Sequence, residues 1–236
     1  MELNFISKNN IDALVIDNVL PKGVFDNAVK ELNYIIDNVE FNHASIIATA
    51  AKHNVDKKIL LSKRNGVFFN DLVGEDKLFK EVKDCVYLRN YSLVIEELTK
   101  CKNRGTLPPM FNFYLSTELD FTLMGYYKVG DYYKPHCDKS IYTSVFFIFN
   151  EPKKFDGGNL ILHDLDYEVE YKNNRMVIFP SWVTHEVTKI ENNYIQLPLK
   201  DCRFTYSTFH TNAVRVSVIK DENGSVVCKA SDEIVN

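Results

Sequence analysis

The stretch that decides the fold is FTLMGYYKVGDYYKPHCDKSIYTSVFFIFN, residues 121–150, in which two apolar runs flank a polar turn. Both runs have the length and the aromatic and β-branched content of strands. From Phe111 onward the chain continues in this way, with turn residues between short runs. We predict strands at FNFYLST, FTLMGYYK, YTSVFFIFN, NLILH, YEVEY, RMVIFP, HEVTKI, CRFTYSTF and VRVSVIK. Many short strands at this spacing are typical of a sandwich or a closed barrel, including jelly rolls and cupins.

The first half of the chain mixes predicted strand and helix. ALVIDNVL is a short apolar strand, whereas PKGVFDNAVKELNYIIDNV places apolar residues at helical spacing. EDKLFKEVKDCVYLRNYSLVIEELTKC is one further helix or two, and the polar segment 40–75 between the helical stretches is typical of a binding loop or lid. We therefore predict one domain, residues 1–236, with helical and strand support and a lid in residues 1–110 and the β core in residues 111–220.

Composition limits the classes of partner. The 236 residues carry a formal net charge of −4, with Lys and Arg scattered among Asp and Glu, which argues against a nucleic-acid partner. We recognise neither a secretory signal nor an apolar run of membrane-spanning length, so we expect a cytoplasmic protein without a membrane partner. The five cysteines are an odd number without a C-x-x-C pair, which indicates reduced thiols rather than a disulfide framework.

Three residues could share a metal ion. His136 and Asp138 are two positions apart, and side chains at that spacing on a strand share a face. His185 opens a later predicted strand, after the Pro-Ser-Trp turn. Two histidines and one carboxylate on one face of an octahedral ion are typical of non-haem iron(II) oxygenases. We predict that Cys137 points to the opposite face, and that the other histidines are packed or on the surface: His43, His53, His163 and His210.

The stretches YKVGDYYKPHCD, FFIFNEPKKFDGGNLIL and RMVIFPSWVTHEV together resemble the Fe(II)- and 2-oxoglutarate-dependent dioxygenases, in their prolyl 4-hydroxylase-like branch. The resemblance covers residues 121–209. It implies a mainly β fold with supporting helices around a double-stranded β-helix, a squashed jelly roll. It also implies that His136, Asp138 and His185 are the catalytic iron ligands, with 2-oxoglutarate and O2 as cosubstrates and ascorbate as a reductant.

The resemblance further assigns the residues that bind 2-oxoglutarate. It places Tyr127 in the pocket for the distal carboxylate, where relatives also use a basic residue on the strand after the second histidine. The corresponding position here is Ile195, which cannot serve. An enlarged hairpin loop at residues 191–201 would shift the basic residue to a later position in the sequence, Arg203. Thr205, two positions further on, would supply a hydroxyl. A planar guanidinium suits a carboxylate because it can donate two parallel hydrogen bonds.

Arg215 is the alternative anchor, because Ser217 gives it the R-x-S form seen in relatives. Arg203 requires the smaller insertion, and we favour it on spacing. Gly157 and Gly158 are assigned by the resemblance to the turn that opens a barrel strand, where glycine permits an unusual backbone conformation.

The implied activity is hydroxylation of an unactivated C–H bond, coupled to conversion of 2-oxoglutarate to succinate and carbon dioxide. The substrate is either a prolyl residue of a peptide or protein, or a small molecule such as a free amino acid or a sugar. Because Asp138 is present, we predict no halogenation. A different class of function also fits the sequence, a non-catalytic jelly-roll binding protein with a vestigial metal site. The oligomeric state has no sequence signal.

Overall fold

The computed structural model describes residues 1–38, 42–43, 65–68, 86–192, 196–212, 216–220 and 226–230. The helices are α1 (Lys22–Asn38), α2 (Val86–Asn103) and α3 (Phe111–Leu115). The first strands are β1 (Glu2–Lys8), β2 (Ile11–Asp17), β3 (Asn42–His43), β4 (Asn65–Phe68), β5 (Leu119–Tyr127), β6 (Tyr133–His136), β7 (Tyr142–Ile148) and β8 (Asp156–Gly157). The later strands are β9 (Leu160–Leu162), β10 (Tyr167–Val169), β11 (Arg175–Pro180), β12 (His185–Val187), β13 (Ile190–Glu191), β14 (Arg203–Thr211), β15 (Val216–Lys220) and β16 (Val226–Ala230).

Two antiparallel sheets form the body of the fold. The larger sheet has the strand order β1-β2-β11-β7-β14-β5-β4-β3, and the smaller one has the order β10-β9-β12-β6. Strands β8 and β13 make a short pair beside them, and β15 pairs with β16. The structure is thus mainly β with supporting helices, as predicted. None of the helices in the described ranges is long and apolar enough to cross a bilayer.

The central strands β2, β11, β7 and β14 of the larger sheet are buried on both faces, whereas the edge strand β1 is partly exposed. Strand β7 is buried at every position, so its consecutive residues Phe146 and Phe147 serve different cores. Phe146 belongs to the cluster that α1 and α2 cover, together with Leu32 and Leu98. Phe147 belongs to the cluster between the two sheets, together with Leu160 of β9. Because side chains alternate along a strand, neighbouring residues of β14 likewise face either the helices or the smaller sheet.

Several local predictions differ from the structure. FNFYLST, predicted as a strand, forms the short helix α3, in which Phe111 and Tyr114 are buried while Phe113 is exposed. Burial of residues three positions apart fits a helical turn. The contacts that stabilise this helix come from residues distant in the sequence, such as Phe5, which packs against Phe111. The N-terminal strand β1, which we did not predict, pairs with β2, and β2 pairs with β11. The N-terminal half therefore contributes both helices and strands, and its strands extend the larger sheet.

Some predictions lie outside the described residues. Most of the proposed lid at residues 40–75 is among them, as are Ile195, Arg215 and the question of a second helix before α2. Of the cysteines whose side chains are described, Cys101, Cys137 and Cys202 are free thiols.

Candidate active site

His136, Asp138 and His185 meet at one end of the space between the sheets. Strands β6 and β12 are neighbours in the smaller sheet, and His136 lies directly opposite His185 in their register. The potential ligand atoms of all three residues lie within 4.8 Å of one another. Asp138 places Oδ2 3.4 Å from Nε2 of His185 and Oδ1 3.8 Å from Nε2 of His136. The structure therefore brings the three sequence-predicted metal ligands together.

Asp138 reaches this position by a different route from the one predicted. Strand β6 ends at His136, so the two residues do not share a strand face. The backbone N–H of Asp138 instead donates a 2.8 Å hydrogen bond to the carbonyl of Ser181, in the turn before His185. The segment that carries Asp138 is thereby tied to the turn that leads to the second histidine.

Both imidazoles present the nitrogen that a metal ion needs. Nδ1 of His136 lies 2.8 Å from the carbonyl oxygen of Lys134, and Nδ1 of His185 lies 2.8 Å from that of Val183. A carbonyl oxygen only accepts, so we assign the ring hydrogen of each histidine to Nδ1. Nε2 then keeps its lone pair and faces Asp138. Orientation of a ligand histidine through its second nitrogen is the usual arrangement at metal centres.

The Asp138 carboxylate is held by a chain of hydroxyls. Thr143 Oγ1 donates to Oδ2 at 2.7 Å, Ser181 Oγ lies 2.9 Å from Thr143 Oγ1, and Ser140 Oγ lies 2.6 Å from that of Ser181. Burial by itself raises the pKa of Asp138. When the imidazoles carry a hydrogen on Nε2 as well, the hydrogen bond and charge of His185, the charge of His136 and the Thr143 hydroxyl outweigh burial and lower this pKa. An ionised Asp138 together with two neutral imidazole nitrogens makes a donor set that suits iron(II).

Arg203 lies in the same pocket, although it is only 1% exposed. Its Nε donates a 2.8 Å hydrogen bond to the carbonyl of Gly158. Its Cζ is 4.3 Å from the ring centroid of Tyr171, 4.7 Å from that of Tyr127 and 5.6 Å from that of Phe147. Such distances allow cation–π attraction, which helps to offset the cost of burying the charge.

The pocket joins the two groups of residues. It opens to solvent. Its lining consists of Tyr127, Tyr133, His136, Asp138, Thr143, Val145, Leu160, His185, Val187, Arg203, Thr205, Ser207 and Phe209. The four lining residues of β14 alternate along the strand, as expected for one face. All the favoured sequence-predicted site residues thus line one pocket, while the alternative Arg215 is not among the described residues.

The glycine pair has a sharper role than the sequence indicated. Gly157 and Gly158 both have positive φ, at 68° and 72°. A Cβ at Gly157 would lie 2.1 Å from the carbonyl oxygen of Lys189. One at Gly158 would lie 2.7 Å from Cδ of Arg203 and 2.5 Å from Cδ1 of Ile190. Glycine is therefore the only residue type that fits at position 158 against the Arg203 side chain.

We expect Gly158→Ala to lower the free energy of unfolding by about 3 kcal/mol, because left-handed strain and overpacking each cost about 1–2 kcal/mol. Urea unfolding measures this change. Gly23→Ala is the matched control, since Gly23 is the second residue of α1 and an added Cβ there meets no atom within 4 Å. We expect the control variant to be as stable as the parent or slightly more stable. A loss below about 0.5 kcal/mol in Gly158→Ala, within the range of ordinary surface substitutions, would contradict the steric argument.

Two functional features escaped sequence reasoning. Tyr171, which covers the Arg203 guanidinium, looked like the end of an ordinary alternating strand, YEVEY. Thr143, which holds Asp138, stood in an apolar strand as one of many β-branched residues. Neither position has a local signal, because each acts through a partner that is near only in the folded chain.

Comparison with known proteins shows which family model and which folds this chain is similar to. Residues 121–209 match the model of the 2OG-Fe(II) oxygenase superfamily. No curated protein matches the chain. A prolyl-4-hydroxylase from Pseudomonas putida is 18% identical, with 85% of this chain and 92% of that chain covered and a TM-score of 0.53.

A second similar structure is a prolyl hydroxylase from Trichoplax adhaerens, solved in complex with a peptide fragment of the hypoxia inducible factor oxygen degradation domain. It is 14% identical, with 85% of this chain and 83% of that chain covered and a TM-score of 0.56. At such identities these likenesses show a shared fold, and they confirm the predicted jelly roll.

Proposed function

We propose that this chain, whose residues 121–209 match the model of the 2OG-Fe(II) oxygenase superfamily, uses Fe(II), 2-oxoglutarate and O2 to hydroxylate a C–H bond. In this proposal His136, Asp138 and His185 hold the iron. Bound Fe(II), with the two cosubstrates, supplies the oxidation of C–H to C–OH, and 2-oxoglutarate leaves as succinate and carbon dioxide. The protein orients the reactants, and the Asp138 charge balances part of the metal charge.

The distal carboxylate of 2-oxoglutarate would bind to Arg203. The guanidinium is buried in the pocket that contains the three proposed iron ligands, and Tyr127 and Thr205 line that pocket beside it. With Nε directed to Gly158, the terminal nitrogens Nη1 and Nη2 are the pair that would meet a carboxylate. A bidentate, charge-assisted pair of this type is strong and directional. This meeting of an oriented donor triad and a ring-enclosed arginine in one pocket is the observation that carries the proposal.

For the substrate we propose a prolyl residue of a peptide or protein. Support comes from the fold shared with the Pseudomonas putida and Trichoplax adhaerens hydroxylases, the second of which was solved with a peptide. The pocket is also open to solvent, so a segment of a larger chain has access to its mouth. The alternative of a free amino acid, sugar or other small metabolite keeps the same chemistry at the same residues.

An anaerobic titration tests the chemistry. We expect Fe(II) and 2-oxoglutarate, added together, to produce the weak visible absorption of the iron chelate, and neither one to produce it alone. Succinate release in air, with ascorbate present to keep iron reduced, is then screened against prolyl peptides, free amino acids and sugars. Absence of the chelate band would favour a non-catalytic jelly roll. Stimulation by amino acids or sugars, but not by peptides, would reject the prolyl assignment and leave the chemistry standing.

A further inference from the structure

Tyr171 contacts the proposed anchor without lining the pocket itself. It follows β10, is 1% exposed, and its ring centroid is nearer to Cζ of Arg203, at 4.3 Å, than the two other rings around the guanidinium. Phe147, Phe149 and Phe155 pack around it with ring centroids 4.7–5.6 Å away. Tyr171 can therefore influence a ligand in the pocket through its contact with Arg203.

Hydrogen bonds at both ends fix the Tyr171 ring. Its hydroxyl lies between the carbonyls of Ile148 and Phe204, which share its single hydrogen as acceptors and belong to the neighbouring strands β7 and β14. Phe204 directly follows Arg203, so this bond acts next to the base of the anchoring side chain. Burial raises the pKa of the Tyr171 phenol, so the group stays a neutral donor at ordinary pH.

The backbone of Tyr171 is tied to the same turn that binds Arg203. Its N–H donates to Oδ1 of Asn159 at 2.9 Å, and the backbone N–H of Asn159 donates to Thr188 Oγ1 at 2.9 Å. Asn159 follows Gly158, whose carbonyl accepts from Arg203 Nε. Tyr171 and the Gly158 carbonyl, which accepts from Arg203 Nε, are thus connected through Asn159.

We propose that Tyr171 is a positioning residue that fixes the Arg203 guanidinium for the distal carboxylate of 2-oxoglutarate. This inference rests on the proposed function. A free arginine side chain has large rotamer entropy, and its planar fork binds a carboxylate well only when it is held in place. The Tyr171 ring restricts the positions of the guanidinium, as does the Tyr127 ring, whose centroid lies 4.7 Å from Cζ. Without the Tyr171 ring, the guanidinium gains alternative positions that do not face the ligand.

The test measures binding to Mn(II)-loaded protein by calorimetry with two probes. One is 2-oxoglutarate, and the other is 2-oxopentanoate, which has the same five-carbon chain and 2-oxo acid group but lacks the distal carboxylate. For Tyr171→Leu we expect the Kd of 2-oxoglutarate to rise about 10-fold, in line with a desolvated cation–π contact, and the Kd of 2-oxopentanoate to stay within 2-fold. In turnover, the KM for 2-oxoglutarate should rise while kcat at saturation is retained.

Tyr171→Phe and Tyr142→Leu complete the design. Tyr171→Phe keeps the ring beside Arg203, so it should restore most of the affinity for 2-oxoglutarate, and it serves on its own if the leucine variant does not fold. Tyr142 is likewise buried, with its hydroxyl donating to a carbonyl, that of Met110 at 2.7 Å, but it belongs to the helix-side core. Tyr142→Leu should lower stability and leave both Kd values unchanged.

Each outcome has a distinct meaning. Equal weakening of both probes by Tyr171→Leu, or no weakening of either, would overturn the positioning role while the parent's binding of 2-oxoglutarate upholds the proposed function. If the leucine variant does not fold, Tyr171→Phe should raise the Kd of 2-oxoglutarate alone by about 3-fold, because the ring loses the hydrogen bond of its hydroxyl. Equal changes in the Kd values of both probes in that variant would likewise overturn the positioning role. A parent protein that binds neither probe would reject the proposed function, and the inference with it.

Discussion

Turnover of 2-oxoglutarate should fall on the order of 1000-fold in His185→Ala, because a metal centre supplies several kcal/mol of transition-state stabilisation and the variant loses one of the three proposed iron ligands. The chain should remain folded. His185 contributes ring contacts to His136 and Phe179, but the register of β12 is also fixed by backbone pairing with β9 and β6. We expect the free energy of unfolding to fall by only about 2 kcal/mol, as for other buried side-chain truncations. Succinate release and urea unfolding measure the two quantities.

His163→Ala is the matched control for this experiment. His163 directly follows β9, the strand that pairs with β12, and its side chain is 40% exposed. Its Nε2 lies 3.5 Å from Oε1 of Glu186 rather than near the Asp138 carboxylate. Its replacement should leave turnover unchanged. Metal titration of both variants separates the explanations further, since only His185→Ala should weaken Mn(II) binding. Loss of the fold in His185→Ala would indicate a structural role, and equal losses in both variants would reject the assignment of the ligands.

The sequence predicted the core strands because the pattern of apolar residues along a strand indicates which of its faces are buried. Strand β11 has the predicted bounds, Arg175–Pro180, and its interior positions are buried on both sides, as a continuous apolar run indicates. The register that places His136 opposite His185 could not be predicted, because it depends on which strands become neighbours. The motif nevertheless identified both residues, because two histidines and one carboxylate form the ligand set that is typical of non-haem iron(II) oxygenases.

Other parts of the site depend on contacts between distant segments. Asp138 is placed by the carbonyl of Ser181, and a backbone acceptor leaves no trace in the amino-acid sequence. The helix α3 was misassigned because FNFYLST has the composition of a strand, while the packing of Phe111 and Tyr114 against Tyr142 decides the outcome. Local propensity is a weak guide where tertiary contacts of this size compete with it.

Arg203→Met should raise the Kd for 2-oxoglutarate about 100-fold, since a charge-assisted bidentate pair contributes about 3 kcal/mol and each 1.4 kcal/mol is a factor of ten. Methionine keeps an unbranched apolar stem of similar course against the rings of Tyr127 and Tyr171, so packing changes less than with alanine. Because the loss is confined to cosubstrate binding, kcat at saturating 2-oxoglutarate and the affinity for Mn(II) should change little. Calorimetry on Mn(II)-loaded protein and the KM from succinate release measure these effects.

Arg203→Lys and Arg215→Met decide whether the effect belongs to the guanidinium of Arg203. Lysine keeps the charge but offers a single ammonium in place of a planar fork, and its side chain has no Nε to donate to Gly158. Its Kd should therefore lie between those of the parent and Arg203→Met. Arg215→Met removes the alternative anchor, and because Arg203 is the proposed one, it should leave the Kd within about 2-fold of the parent. The reverse result, with Arg215→Met weakening 2-oxoglutarate binding and Arg203→Met not doing so, would transfer the anchor to Arg215. The ring-lined pocket around Arg203 would then need another explanation for burying a positive charge.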